Sequence, residues 1–287
     1  MIKTLTNDEL DQLLNFVGYG RLDADLWFIG YQEHMPPNTD IQPRLELEQV
    51  EDSAEALEKL GITLQSFAEN NLHNAWHGMA EIMLRLAKKS PTETNIRAYL
   101  TRLLGRSNGA VLIANLLPIP VNMDGSWNFG SEIPQYAAPS DYYEEVKPLR
   151  MNFFREILHQ QLPKVIIAHG KEAWADYQEL FKDFKLDEHG EFLVGWDANT
   201  VVVLTEELSS EAMIGKYEDL VTLILENSLE IDVEKHTGPT PLSKAELARQ
   251  QKEAAKKVAA AKRKPATKHN ASDPYCVCAQ CLSYEKK

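Results

Sequence analysis

Four short apolar runs recur along the chain, and each is followed by glycine, proline or polar residues. The first, DADLWFIG, stops at Gly30 and predicts a buried parallel strand at about residues 25–30. The other three predict a strand that stops at Asn115, a strand that leads into a helix, and a last strand, and they read GAVLIANLLPIP, PKVIIAHGKEAW and TVVVLTEELSS.

Helical patterns separate these runs. Near the N-terminus, Thr6 is a candidate N-cap with Glu9 three residues on, and leucines follow at helical spacing in TNDELDQLLNFV. Residues 51–104 carry a long helical pattern, and DYYEEVKPLRMNFFREILHQQL continues it around Pro148. Because strands separated by helices pair in parallel through right-handed crossovers, we predict an α/β three-layer sandwich around a central four-stranded parallel sheet. Residues 51–104 are then a helical insertion.

Length and composition set the class of protein. With 287 residues, of which 44% are hydrophobic, the chain can bury a full core, as one domain or as a domain with an appendage. The sequence has no run of about 18 apolar residues and no signal-peptide pattern in MIKTLTNDEL. We therefore expect a cytoplasmic protein without a membrane partner.

The net charge of −13 divides unevenly along the chain. Residues 241–287 hold 11 Lys and Arg against 4 Asp and Glu, whereas residues 1–240 hold 19 against 39. An acidic body would be repelled by a polyanion, so a nucleic-acid contact needs a local positive groove or the basic tail. A protein partner for the acidic body is the alternative.

Polar residues follow each predicted strand. Ligands of open α/β sheets bind outside the carboxyl ends of the strands, so these residues are the candidates for a site. They combine a carboxylate, an amide that can read a base edge, and nearby aromatic rings. The candidates for substrate binding are Gly30, Tyr31, Gln32, His34, Asn115, Trp127, His169 and Ser209, and the candidate catalytic residues are Glu33 and Glu207.

The ordered set GRLDADLWFIG, VLIANLLPIP, PKVIIAHGKEAW and VVVLTEELSS resembles the four strand motifs of the uracil-DNA glycosylase superfamily. The resemblance covers roughly residues 18–225 and is greatest to bacterial and phage-related, defence-associated branches. It implies a DNA glycosylase, which cleaves the N-glycosidic bond of a base flipped out of DNA. One branch of the superfamily binds an iron–sulfur cluster through cysteines. The three cysteines of this chain all lie in the tail, so the resemblance implies no cofactor for catalysis.

The resemblance also implies roles for single residues. Glu33 would orient water or stabilise the cationic sugar, Asn115 would hydrogen-bond the base edge, and Tyr31 or Trp127 would stack on the base. His34 is expected either to line the pocket or to lie outside it. His169 is expected either to take part in the site or to be a packed, hydrogen-bonded residue.

The fourth motif departs from the family. Glu207 falls where these glycosylases usually carry a histidine, and Leu208 falls where they carry a proline. A carboxylate there would repel the negative charge that builds up on a departing base. This would not hold if the carboxyl group were protonated or bound an amino group of the base. The departure favours a modified base, as in defence against phage. The alternative is a catalytically inactive protein that binds DNA, a nucleotide or a protein partner.

The C-terminal part is predicted to be a separate module. We expect the glycosylase-like domain to span residues 1–228, a linker to span 229–242, and a basic helix with a cysteine-rich end to span 243–287. The helix would begin at a capping box of Ser243 and Glu246. The candidate zinc ligands are His269, Cys276, Cys278 and Cys281; the alternative is a flexible basic arm with reduced cysteines.

Overall fold

The computed structural model describes residues 3–35, 39–70, 75–228 and 231. All of them belong to Met1–Gly238, the first of the two units into which the chain divides. The predicted tail, 243–287, lies outside the described residues, as does the predicted linker apart from residue 231.

The described chain is an α/β structure. Its helices are α1 (Asn7–Asn15), α2 (Ser53–Lys59), α3 (Leu64–Asn70), α4 (Ala75–Leu86), α5 (Glu93–Arg102), α6 (Pro139–Gln161), α7 (Trp174–Leu180) and α8 (Tyr217–Asn227). Its strands are β1 (Gly18–Gly20), β2 (Leu26–Met35), β3 (Val50–Glu51), β4 (Val111–Asn122), β5 (Val165–His169), β6 (Asp187–His189), β7 (Phe192–Trp196) and β8 (Val201–Thr205). The α/β class is therefore confirmed.

The first helix begins where the sequence places its cap. The Thr6 side chain accepts the N–H of Glu9, and the Glu9 carboxylate accepts the N–H of Thr6. Two of the four unpaired N–H groups at the start of α1 are satisfied in this reciprocal way.

The sheet is mixed and has eight strands, in the order β3-β1-β4-β2-β5-β8-β7-β6. The four strands predicted from the apolar runs are adjacent in it and parallel, with β2 between β4 and β5 and with β8 beside β5. The prediction of a four-stranded sheet is wrong, because β1 and β3 extend it on one side and the antiparallel β6–β7 hairpin extends it on the other.

Two strands run farther than predicted. The apolar run of β2 breaks at Gly30, yet the strand continues to Met35, and β4 passes Asn115 to reach Asn122. The prolines at 118 and 120, which lack an N–H, lie where the pairing of β4 with β2 is irregular, between Leu117 and Val121. The register between β2 and β4 shifts at the same place.

Helices pack on both faces of the sheet. One face is covered by α4, α5 and α8, which bury a cluster that includes Leu26 and Phe28 of β2. The other face is covered by α6 and α7, which bury a cluster that includes Trp27 and Ile29. We call these the α4 face and the α6 face. This alternation along β2 decides on which face each candidate residue lies.

Candidate active site

A notch lies in the sheet at the carboxyl ends of β5 and β8. The pairing of β2 with β5 ends at Ile29 and Ala168, and β5 and β8 stop at His169 and Thr205. Strands β2 and β4 continue beyond this point. The strand order reverses at β2, because β4 lies on one side of it and β5 lies on the other. Such switch points are where open α/β sheets bind ligands.

Gly30, Asn115 and His169 meet at this notch on the α4 face. Each lies two residues beyond a side chain that packs against the helices of that face: Phe28, Ile113 and Ile167. A Cβ atom built on Gly30 would lie 2.5 Å from Asn115 Oδ1 and 3.3 Å from His169 Nε2 and Cε1. The absence of a side chain at Gly30 therefore lets the carboxamide and the imidazole approach one another above β2.

The His169 ring is held by Glu207. Glu207 Oε2 lies 3.0 Å from His169 Nδ1, and the His169 side chain is 8% exposed whereas that of Glu207 is 37% exposed. A carboxylate only accepts hydrogen bonds, so the proton lies on Nδ1. The other nitrogen, Nε2, faces the space above Gly30 beside the Asn115 amide.

Glu207 stays ionised in this setting. Burial acts to raise its pKa, but the charge and hydrogen bond of His169, the N–H of Ser209 and the charge of His34 together bring the pKa below its usual value. His34 is exposed on the extension of β2, and its effect on Glu207 places it near the notch. Ser209 contributes its backbone N–H to this arrangement.

The turn that carries Glu207 is anchored by its neighbours. Leu208 is fully buried, and the Tyr217 hydroxyl of α8 donates to the Leu208 carbonyl oxygen. A Cβ built on Gly78 of α4 would lie 3.0 Å from that same oxygen, so the helix approaches the turn closely. An apolar anchor next to Glu207 thus fixes the carboxylate against the end of β5.

Glu33 is paired with a buried cation. Its Oε1 lies 2.8 Å from Arg44 Nη2, and its Oε2 accepts a hydrogen bond of 3.4 Å from the Tyr19 hydroxyl. The Arg44 side chain is 7% exposed and that of Glu33 is 32% exposed. Burial acts to lower the pKa of Arg44, but the charge and hydrogen bond of Glu33, together with the contribution of Tyr19, outweigh it and the pKa is raised. Glu33 therefore compensates a guanidinium that lies almost wholly inside the protein.

We expect Glu33→Gln to lower the free energy of unfolding by about 2 kcal/mol, because it leaves the Arg44 charge buried without its partner. Arg44→Met leaves a carboxylate that water can partly reach, so it should cost less. Urea unfolding at pH 7 of both single variants and of the double variant measures the difference. A Glu33→Gln protein as stable as the wild type would contradict this account of the pair.

Besides Glu33, three predicted site residues are not brought into this cluster, and two of them are Tyr31 and Gln32. Tyr31 lies on the α6 face, where its hydroxyl interacts with Asp176. Gln32 is buried and uses both ends of its amide internally, donating to the Ile119 carbonyl oxygen at 2.6 Å and accepting from the Tyr143 hydroxyl at 3.0 Å. Their roles in substrate binding are thus not supported by their positions.

Trp127 is also committed to packing. Its ring stacks on Tyr142 with 5.2 Å between ring centroids, and its indole N–H donates to the Tyr136 carbonyl oxygen at 2.8 Å. One face of the ring is therefore occupied by the core. Its predicted role as a stacking platform for a base finds no support in this geometry.

A cavity of about 340 Å³ lies between α6 and α7, on the face opposite the cluster. Its charged lining residues are paired with one another, since Lys147 Nζ lies 3.0 Å from Asp176 and Arg155 lies 2.8 Å from Glu179. We place no function there, because the groups that line it already satisfy each other.

Two residues that sequence reasoning missed contact the backbone of the site. Arg150 of α6 binds the carbonyl oxygen of Asn115, and Tyr177 of α7 binds that of His169. The only signal for Arg150 was a cation inside the apolar pattern LRMNFF, and Tyr177 carried no signal, since a tyrosine in a helix is ordinary.

Among the described residues, no group of three or more His, Cys, Asp or Glu side chains is arranged to hold a metal ion. The candidate zinc ligands of the tail lie outside those residues. None of the described helices combines the length and the apolar character needed to cross a lipid bilayer.

No protein-family model matches the chain, and a search of curated proteins gave no significant match.

Proposed function

We propose that this protein is a cytoplasmic DNA glycosylase that removes a modified base, and that the cluster of Gly30, Asn115, His169 and Glu207 is its active site. The observation that carries the proposal is the convergence of a carboxamide and a carboxylate-bound imidazole above Gly30, at the switch point of the sheet. A modified base of phage DNA would suit a role in defence.

The chemistry follows from these groups. A flipped base would enter the notch with its hydrogen-bonding edge toward the Asn115 amide. As the bond from C1′ to the base breaks, its electron pair moves to the base, where His169, once its Nε2 is also protonated, would donate a hydrogen bond from that nitrogen. Water adds to C1′ and releases a proton, the departed base takes up a proton, and the hydrolysis is complete. Glu207 holds the ring and balances the imidazolium charge that this step uses.

This arrangement bears on the missing histidine of the fourth motif. Glu207 occupies that position, but its carboxylate binds His169 from the third strand. The proposal therefore assigns to His169 the electrophilic role that the family gives to a fourth-strand histidine. We also propose that the fold is glycosylase-like, with β4, β2, β5 and β8 as its parallel core sheet between two helical layers.

A second function is favoured by the ion pair of Glu33 and Arg44. A carboxylate that compensates a buried guanidinium is poorly suited to activate water or stabilise a sugar cation. A catalytically inactive protein that binds DNA, a nucleotide or a protein partner through the same notch would retain the Asn115 amide and need no such carboxylate.

Base release from DNA separates the two functions. The full chain is incubated with single- and double-stranded oligonucleotides that carry uracil, hypoxanthine, methylated or glucosylated bases. Alkali-labile abasic sites and the released base are then measured. Release by the wild type that is lost in folded Asn115→Ala supports the glycosylase. Base-selective binding without release supports the inactive protein, and neither binding nor release would overturn both.

We expect the basic tail to supply much of the affinity for DNA. Deleting residues 241–287 should weaken binding and flatten its dependence on salt, because fewer counterions are released. Binding at several salt concentrations is compared for the full chain and for residues 1–240. Equal affinity and equal slope would remove the tail from DNA binding and point to a protein partner. The proposed zinc site in the tail is tested separately, by metal analysis of the purified full chain.

A further inference from the structure

The site residues Asn115 and His169 have their side chains on the α4 face, whereas their backbone carbonyl groups are bound from the α6 face. Two buried polar side chains, one from α6 and one from α7, make these contacts. Such side chains are uncommon in a helical layer that otherwise packs apolar residues against the sheet. Their targets are the two residues that form the proposed pocket.

Arg150 binds three carbonyl oxygens and is 4% exposed. Its Nε donates to Leu116 at 3.0 Å, its Nη2 to Asn115 at 3.2 Å and its Nη1 to Leu14 at 3.2 Å. Strand β4 has no β1 neighbour beyond Ala114, and just past that point the guanidinium binds two successive carbonyl groups of the strand. Burial lowers the pKa of Arg150 to about 10, so it remains a cation at neutral pH.

Tyr177 is fully buried, and its hydroxyl lies 2.9 Å from the His169 carbonyl oxygen and 3.4 Å from that of Ile29. It therefore bridges β5 and β2 where their pairing ends. Burial first, and the charges of Glu207 and Glu172 in addition, raise the pKa of Tyr177, so the hydroxyl stays protonated as a donor.

We propose that Arg150 and Tyr177 are positioning residues that hold Asn115 and His169 in the geometry needed for base release. This inference rests on the proposed function for its catalytic consequence. The guanidinium fixes the backbone that carries the base-reading amide, and the hydroxyl fixes the backbone that carries the imidazole. Neither side chain contacts substrate, since both act from the opposite face of the sheet.

If the Tyr177 hydroxyl only stabilised the fold, removing the hydroxyl of another buried tyrosine should affect the site in the same way. Tyr142 of α6 offers a matched control, because it is also fully buried and its hydroxyl also bonds the backbone of a strand, accepting the Ile119 N–H at 3.0 Å. Tyr177→Phe and Tyr142→Phe each remove one oxygen atom. Only the first removes a contact to the proposed site.

The first measurement needs no substrate. In protein labelled with ¹⁵N at histidine, Tyr177→Phe should shift or broaden the ring-nitrogen signals of His169 and leave those of His159 and His189 in place. Tyr142→Phe should leave His169 unchanged. In protein labelled at asparagine, Arg150→Lys should likewise move the side-chain amide signals of Asn115, because lysine cannot bond three carbonyl groups. No change at His169 in Tyr177→Phe, or the same change in Tyr142→Phe, would overturn the assignment.

The second measurement links the contacts to catalysis. Where the wild type releases a base, Tyr177→Phe should lower kcat about tenfold with KM nearly unchanged, because misplacing a group acts on the transition state. An equal loss in Tyr142→Phe would overturn the positioning role. A wild type that releases no base would refute the proposed function, and the histidine and asparagine signals would still decide whether the two residues fix the site.

Discussion

His169→Gln is expected to slow base release by about 10²- to 10⁴-fold while leaving DNA affinity nearly unchanged, because the imidazole is assigned to the departing base in the transition state. Single-turnover release at saturating enzyme measures the chemical step directly. The exposed His159 on α6 supplies the control, since His159→Gln makes the same change away from the site. Equal rates for wild type and His169→Gln would remove the histidine from the mechanism.

The pH dependence should identify the partner of His169. Because Glu207 has a lower pKa in the folded protein than its usual value of 4.5, its carboxylate is ionised at neutral pH, and its charge on the His169 ring is lost as pH falls through the folded pKa, below 4.5. Wild-type release should therefore fall in that acid range. Base release by Glu207→Gln should be slower than that of the wild type at pH 7 and should not fall further in this acid range. If Glu207→Gln left the pH dependence of base release unchanged, the carboxylate would have no effect on the function of the His169 ring.

Gly30→Ala is expected to slow base release about 100-fold without unfolding the protein. The added methyl group would lie 2.5 Å from Asn115 Oδ1, so the amide must rotate away, and a displacement of this size at a reacting group costs about two orders of magnitude. Alanine is otherwise compatible with a strand, and we expect the free energy of unfolding to change by less than about 1 kcal/mol.

Gly18 provides the contrast, because a side chain added there would clash with backbone atoms. A Cβ on Gly18 would lie 1.9 Å from the Ile113 carbonyl oxygen, and its φ of +158° is one that other residues rarely adopt. Gly18→Ala should therefore lose stability, whereas Gly30→Ala should lose activity alone. Thermal unfolding and base release measured on both variants test this division. Full activity in Gly30→Ala would show that the space above Gly30 is not the pocket.

The apolar runs were enough to predict the central strands, because buried parallel strands are apolar on both faces and stand out in a sequence. The short strands were missed. Residues 18–20 and 50–51 are too few to show a pattern; the first segment pairs because β4 lies beside it, and the second pairs with the first. The β6–β7 hairpin carried one signal, the glycine at 190 between two short segments, whose φ of +64° suits a tight turn.

The site was predicted in part, for a geometric reason. Counting from strand ends assembled Gly30, Asn115, His169 and Glu207, since parallel strands bring their carboxyl ends together. The same counting included Tyr31, although successive side chains of a strand point to opposite faces. The pairing of Glu33 with Arg44 could not be read from the sequence, because Arg44 comes from a short 3-10 helix, Gln42–Glu46, and the contact depends on tertiary packing.

The placement of β2 between β4 and β5 also sets when the site can form during folding. Gly30 meets Asn115 only after the whole segment of α2 to α5 has been closed into a loop, and it meets His169 only after α6 has crossed the sheet. Contacts between such distant parts of a chain form late and slowly. Variants that slow this closure would therefore accumulate chains with folded helices and no pocket, and a refolding experiment would see helical signal recover before ligand binding does.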